Sequence, residues 1–286
     1  MRNVRSLLST PGHRPRMLES ALSSEADAIV VDLEDSVPPE FKPAARRAMR
    51  ALLEDAPEDA PLLYARVNHD AVATDVQAIV APRLAGVQLP KAESPEAVQR
   101  LDELLGDAEA AAGVAPGTVE IIVSIESALA VLRAFELLSA SPRVVSVMPA
   151  VAENGDLHAD LGYVHTRDEI ATLHVRSHVL LAARAAKLPN PIDGIYSGVR
   201  DLDGFIASAK LARTLGYRGK KLSHPSQIGP TNEIFAPTDD ELDFHRRVLR
   251  ALEEAEAQGL GATTVDGLMV DIAMGEMARR VLAQAR

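Results

Sequence analysis

The chain has no cysteine and no tryptophan, and only four tyrosines and five phenylalanines among its 286 residues. The missing cysteines exclude disulfides, thiolate zinc sites, iron–sulfur clusters and cysteine nucleophiles together. Positive charge is also in short supply: 30 Lys and Arg face 41 Asp and Glu, for a net charge of −11. Bulk electrostatics of that sign argue against a phosphate-backbone partner, so no nucleic acid is expected. No apolar run approaches the length of a membrane helix, and the opening MRNVRSLLSTPG lacks the apolar region of a signal peptide. The expectation is therefore no membrane association and a cytoplasmic address. A GxGxxG dinucleotide fingerprint and a GxSxG elbow are missing, and GYRGKKLS (216–223) falls short of a phosphate loop.

What the chain does have is eight short β-type runs: VRSLLS (4–9), AIVVDLE (28–34), LLYARV (62–67), GVQLP (86–90), VEIIVSIE (119–126), VVSVMP (144–149), IDGIYS (192–197) and RGKKLS (218–223). They are mostly continuous rather than alternating, as strands buried on both faces require. Helical-period segments separate them at 16–23, 42–53, 73–79, 95–112, 128–139, 168–187, 202–215 and 226–234, with Ser94 and Thr166 as expected caps. Eight strand–helix units predict an α/β protein of the (β/α)₈ (TIM) barrel class, residues 1–236. Residues 237–286 then form a C-terminal helical extension: a ninth helix from the Thr238–Glu241 cap to about Gln258, a Gly259–Gly261 break, and a last helix at about 274–284.

In such a barrel the strand C-termini and the loops after them form one active-site face. Nearly every run here stops beside a residue able to do chemistry. Glu126 and Asp156 follow successive strands, close enough for two carboxylates to hold a hard cation such as Mg²⁺. Alternatively Glu126 caps a helix and Asp156 closes a turn, and Asp160 is a rival ligand. Arg66 ends the third strand, suited to a carboxylate or a developing enolate, or to an ion pair with Glu34 or Asp35 next door. Arg14 and Arg16 follow a Pro-Gly turn at the start of the first helix and offer cations to a phosphate, or form a solvated basic helix start. Lys91, after Pro90, is another candidate anion contact. His174 and His178 have metal-ligand spacing, but they sit mid-helix without the glutamate of a zinc-protease motif. His224-Pro225 is read equally well as a structural turn.

The stretches RSLLSTPGHRPRML, ADAIVVDLEDSV with Lys42 and Arg46, ARVN, QLPKAES, SIESALA, DLHADLG, LAARAA, GYRGKKLSHPSQI and DGLMVD run in order over nearly the whole chain. As a set they resemble the citrate lyase β-subunit/malyl-CoA lyase-like family of the HpcH/HpaI aldolase superfamily. The resemblance implies a Mg²⁺-dependent carbon–carbon lyase of the oxo-acid-lyase type. Its substrate would be a β-hydroxyacyl-CoA thioester such as (S)-citramalyl-CoA or malyl-CoA, split to acetyl-CoA and a 2-oxo acid, pyruvate or glyoxylate. Carried over by position, Glu126 and Asp156 are the metal ligands, and Arg66 contacts the oxo acid and enolate beside Glu34. Arg16, with Arg14 and Lys91 nearby, reaches the CoA phosphates. Asp271 is the acid/base entering a neighbouring subunit's site, in a homotrimer or a hexamer built as a trimer of dimers. Rival readings are a CoA-independent 2-oxo-4-hydroxy acid aldolase, the citryl-thioester lyase subunit of a citrate lyase complex, and an inactive barrel that binds CoA or an oxo acid. One departure stands out: MPAVAENGDL (148–157) is about three residues longer than the family's connection to the metal aspartate, which makes Glu153 and Asn154 further candidate contacts.

Overall fold

The computed structural model describes residues 3–283. Contacts divide the chain into two units that meet between Ile234 and Phe235. In the first unit the strands are β1 (Ser6–Pro11), β2 (Ala28–Asp32), β3 (Leu62–Arg66), β4 (Leu84–Leu89), β5 (Glu120–Ile125), β6 (Val144–Pro149), β7 (Ile192–Asp193) and β8 (Gly219–Leu222). All pair in parallel in the order β6-β5-β4-β3-β2-β1-β8-β7, a nearly closed barrel of the (β/α)₈ type. The helices around it are α1 (Pro15–Leu22), α2 (Lys42–Asp55), α3 (Val72–Ile79), α4 (Pro95–Ala112), α5 (Ala128–Leu132), α6 (Ala134–Leu138), α7 (Asp156–Leu161), α8 (Ile170–Ala185), α9 (Leu202–Leu215) and α10 (Ile228–Phe235).

The continuous apolar runs become strands buried on both faces; every residue of β2 is buried. Alternate positions share a face. Along one face the apolar positions Ala28, Val30, Tyr64, Ile122 and Met148 join Val4, Leu7 and Ile192 in a single core cluster. Two residues further along the same faces come Asp32, Arg66 and Ser124. The barrel is thus oily toward its N-terminal end and polar at the mouth.

Local chemistry sets several element boundaries. Ser94 accepts from the Ala97 N–H at the start of α4, and Gly113 ends that helix in the left-handed region. Thr166, the expected cap of the following helix, instead donates to Asp168 Oδ1, and α8 begins only at Ile170. The single helix expected over 128–139 is broken at Arg133 into α5 and α6.

The seventh run departs most. Only Ile192–Asp193 is strand, and the sheet order leaves β6 and β7 as its two ends. Gly194 lies so close to the Pro149 carbonyl that a Cβ would stand 2.1 Å from its oxygen. Ser146 Oγ bridges the same seam by donating to the Asn190 carbonyl at 2.6 Å. Between β7 and β8, Asp193 accepts from Lys220 Nζ at 2.5 Å, and it also accepts from Arg176 of α8 at 2.7 Å, all three fully buried.

The second unit holds α11 (Asp239–Ala257), β9 (Ala262–Val265), β10 (Leu268–Asp271) and α12 (Ile272–Leu282). Thr238 and Glu241 form a reciprocal capping box at the start of α11. Helices stand at both ends of the expected helical extension, and the segment after the expected Gly259–Gly261 break forms the antiparallel β9–β10 hairpin between them. Its turn residues Asp266 and Gly267 both have positive φ, 52° and 77°, as a two-residue primed turn requires. Val248, Val265, Val270 and Ala278 form this unit's own core. The expected end of the last helix at Gln284 lies outside the described residues.

Candidate active site

At the C-terminal ends of the strands a cleft of about 270 Å³ is lined by Asp35, Arg66, Glu126, Met148, Ala150, Ala152, Asn154, Gly155, Asp156, Ile195 and Lys221. Three of the sequence-predicted residues, Arg66, Glu126 and Asp156, therefore converge on it. Glu34 and Lys91 stand directly behind. Arg14 and Arg16 lie at the start of α1, exposed and without an ion pair among the described residues, off the cleft lining.

Arg66 is fixed by a residue the sequence reading did not single out. Asp32 lies opposite Arg66 in the β2–β3 register, and its two oxygens accept from Arg66 Nε at 2.7 Å and from a terminal nitrogen at 2.6 Å. The other terminal nitrogen stands 3.2 Å from Glu34 and 3.7 Å from Asp35. Burial acts to raise the pKa of Asp32, but the bonds and charge of Arg66 outweigh it and hold the carboxyl far below its usual range. The two-pronged pairing locks the guanidinium plane and leaves one edge for the cleft.

Glu34 is buried, touching His69 Nδ1 at 3.1 Å and Lys91 Nζ at 3.3 Å. Burial is the main reason its pKa is raised. Lys91 also reaches Asp35 at 3.1 Å, so its charge is met within the chain. Its backbone is in the left-handed region, φ 52°, which turns its N–H toward Glu126 Oε2 at 3.0 Å. Lys91 thus orients Glu126 through its main chain while its side chain ties down Glu34 and Asp35.

Glu126 directly follows β5, and burial raises its pKa, opposed chiefly by the nearby charge of Arg66. Asp156 starts α7 with Gly155 as its N-cap, on the far side of the cleft. Its rival Asp160 accepts from the N–H of Ala128, the first residue of α5, at 2.6 Å. Glu153 is exposed and off the cleft lining, whereas Asn154 lines it.

Lys221 forms the floor. Its Nζ donates to Gln88 Oε1 at 3.0 Å, and Gln88 Nε2 donates to Ser124 Oγ at 2.6 Å. Burial pushes its pKa down to about 8, helped by Arg66 and opposed by Asp32, Glu126 and Glu34. Asp32 and Lys221 were missed for the same reason: each is a charge inside a strand run, and only register and barrel closure show that it faces inward. Asp271 lies in the second unit, capping α12 through the Met274 N–H at 3.2 Å. His174 and His178 lie side by side on α8, ring centres 6.1 Å apart, and His224 caps the short turn before α10.

Among the described residues no three His, Cys, Asp or Glu side chains converge as a metal cage. The anionic donors lining the cleft are the carboxylates of Asp35, Glu126 and Asp156, Asp35 being already paired with Lys91, and oxygen donors completed by water and ligand suit Mg²⁺. The charges fit as well. Among the described residues, the formal charges of Asp32, Glu34, Asp35, Glu126 and Asp156 exceed those of Arg66, Lys91 and Lys221 by two, an excess that one divalent cation offsets.

A parallel eight-stranded barrel with an acidic, arginine-bearing mouth is the frame of a cation-assisted barrel enzyme. The chain belongs to the HpcH/HpaI aldolase/citrate lyase family, whose model matches residues 5–225. It is 32% identical over 284 residues to citrate lyase subunit beta of Leuconostoc mesenteroides subsp. cremoris, covering 98% of this chain and 93% of that one. It is 34% identical over 284 residues to the (3S)-malyl-CoA thioesterase of Cereibacter sphaeroides (strain ATCC 17025 / ATH 2.4.3), covering 98% and 94%. Among solved structures it resembles CitE from Mycobacterium tuberculosis in complex with magnesium, acetoacetate and coenzyme A, with a TM-score of 0.75, 31% identity and coverage of 100% and 99%.

Proposed function

We propose that this chain is a Mg²⁺-dependent carbon–carbon lyase acting on a β-hydroxyacyl-CoA thioester of the malyl-CoA or (S)-citramalyl-CoA kind. One observation carries the reading: Glu126, Asp156 and an Arg66 locked by Asp32 open onto a single cleft at the barrel mouth. The relatives support it, since one is named for a malyl-CoA substrate and one was crystallised with magnesium, a keto acid and coenzyme A.

Glu126 and Asp156 would hold the cation. Mg²⁺, when bound, supplies a Lewis acid for the oxygen that becomes the 2-oxo group. The chain's own residues do the rest. The substrate's hydroxyl proton passes to solvent, and scission of the adjacent C–C bond leaves the electron pair on the thioester as an enolate. The edge of Arg66 not taken by Asp32, with its terminal nitrogen near Glu34 and Asp35, stabilises that oxygen, and Asp32 keeps the guanidinium from swinging away. Asp271 of a neighbouring subunit is assigned the return of a proton to the enolate carbon, which completes acetyl-CoA. The exposed Arg14 and Arg16 suit the CoA phosphates. Lys91 is the weaker candidate for that role, because Glu34 and Asp35 already hold its charge.

The test is a panel of acyl-CoA thioesters assayed with and without Mg²⁺, separating acetyl-CoA from free CoA in the products. Mg²⁺-dependent acetyl-CoA with one equivalent of a 2-oxo acid is expected. Free CoA without C–C cleavage makes the chain a thioesterase. Turnover of free hydroxy-oxo acids alone makes it an aldolase, and turnover only of a carrier-bound citryl thioester makes it a subunit of a larger lyase.

A further inference from the structure

The connection from β6 to α7 that carries Asp156 is held by a closed set of contacts. His158 Nδ1 lies 2.8 Å from the Asn154 backbone nitrogen, and His158 Nε2 lies 2.7 Å from the Tyr163 carbonyl. The donors and acceptors fix the tautomer. A backbone N–H can only donate and a carbonyl can only accept, so Nδ1 offers its lone pair and Nε2 carries the hydrogen. The Tyr163 hydroxyl donates to the Val151 carbonyl at 3.0 Å, and its ring packs on the imidazole with centres 4.5 Å apart. Gly162, at φ 67° in the left-handed region, turns the chain back so that Tyr163 can reach His158.

Both ends of the longer connection, Val151 and Asn154, are therefore tied to the residues that follow Asp156. Asn154 is itself in the left-handed region, φ 63°, which asparagine adopts more readily than most residues other than glycine. We propose that His158 and Tyr163 form a clasp that positions Asp156 and Asn154 at the cleft for a divalent cation, with His158 as a positioning residue rather than a ligand. The inference rests on the cation site proposed above. It explains how a connection longer than the family pattern can still present its aspartate: the added residues are folded onto the imidazole instead of left loose. Groups that orient a metal ligand in this way commonly alter cation affinity by 10- to 100-fold when removed.

The experiment is calorimetric titration of Mg²⁺ into the wild type and into His158→Leu, His158→Asn and Glu126→Gln, with metal-free melting of each. His158→Leu is expected to weaken Mg²⁺ binding about tenfold, with little change in metal-free melting because the connection lies at the surface. His158→Asn places an acceptor oxygen where Nδ1 stands and should bind close to wild type. Should His158→Leu melt well below wild type, His158→Gln carries the same test: its amide nitrogen can stand where Nε2 donates to the Tyr163 carbonyl, but it has no acceptor at the Nδ1 position facing Asn154, and it should bind as weakly as expected for Leu. Undiminished affinity in His158→Leu, or equal losses in Asn and Leu, overturns the clasp alone. A wild type that binds no Mg²⁺, or one matched by Glu126→Gln, overturns the cation site and the clasp with it.

Discussion

Arg66 illustrates how a single guanidinium can be both an ion-pair partner and a reactive edge. Asp32 takes two of its donors and leaves the third nitrogen beside Glu34. A lysine keeps the charge but cannot span both Asp32 oxygens and still face the cleft. Arg66→Lys should therefore lower kcat on the order of a hundredfold, the usual effect of losing an oriented donor to a developing oxyanion. Steady-state kinetics on the preferred thioester checks this, and near-normal kcat reduces Arg66 to a structural partner. Asp32→Ala leaves a mostly buried guanidinium short of its main counter-charge, for a loss of about 3 kcal/mol or more in denaturant melts. Lys221 makes a prediction of different sign. Its folded pKa of about 8 lies below the ordinary 10.5, so the folded chain holds that proton less tightly than the unfolded one. Between those values stability rises with pH through this group. The stability of wild type relative to Lys221→Met should thus increase from pH 8 to pH 10; a flat or falling difference shows that the buried ammonium carries no penalty. Glu126, Asp156 and Arg66 could be picked out from sequence because they stand at the ends of apolar runs. Asp32 and Lys221 could not, because a charge within a run shows its direction only once neighbouring strands fix the register.

Among the elements, strands and long helices were legible because continuous apolar runs and helical periods are strong local signals. The exceptions have physical causes. The seventh run looks like a six-residue strand, yet Gly194 is pressed onto the Pro149 carbonyl and the ladder stops after two residues. The β9–β10 hairpin has strands of only four residues, and its one local signal was Asp266-Gly267, a pair suited to a primed turn. Helix α7 was hidden because six residues are too few to show a period. The seam gives a prediction at this scale. Gly194→Ala places a methyl 2.1 Å from a backbone oxygen that cannot rotate aside, so β6 and β7 must separate locally. Overpacking of this kind costs about 1–3 kcal/mol or more. Thermal melting should show a clear drop, and Mg²⁺ affinity should fall with it because Ile195 and Asp156 line the same cleft. An unchanged melt shows that the seam relaxes freely.

For the molecule as a whole, the second unit leaves apolar side chains uncovered. Val270 is buried in its own core, but Leu268, Met269 and Ile272 are 55%, 73% and 71% exposed on and beside the hairpin that ends in Asp271. Apolar residues clustered around a carboxylate are more than scattered surface hydrophobics, and burial against a second copy would remove them from water. The expectation is a homo-oligomer in which Asp271 of one subunit serves the cleft of another, closing it against water as a lid does. Complementation tests this directly. Asp271→Asn and Glu126→Gln should each be nearly inactive alone, since each damages every site. Unfolded and refolded together, they form mixed oligomers in which some clefts combine an intact Glu126 from one chain with an intact Asp271 from another. In a trimer with random mixing, activity should return to a sizeable fraction of wild type, and native mass spectrometry with one variant isotope-labelled confirms that mixed species formed. If mixed oligomers are present and no activity returns, Asp271 serves its own barrel or none, and the exposed hairpin must be covered for another reason.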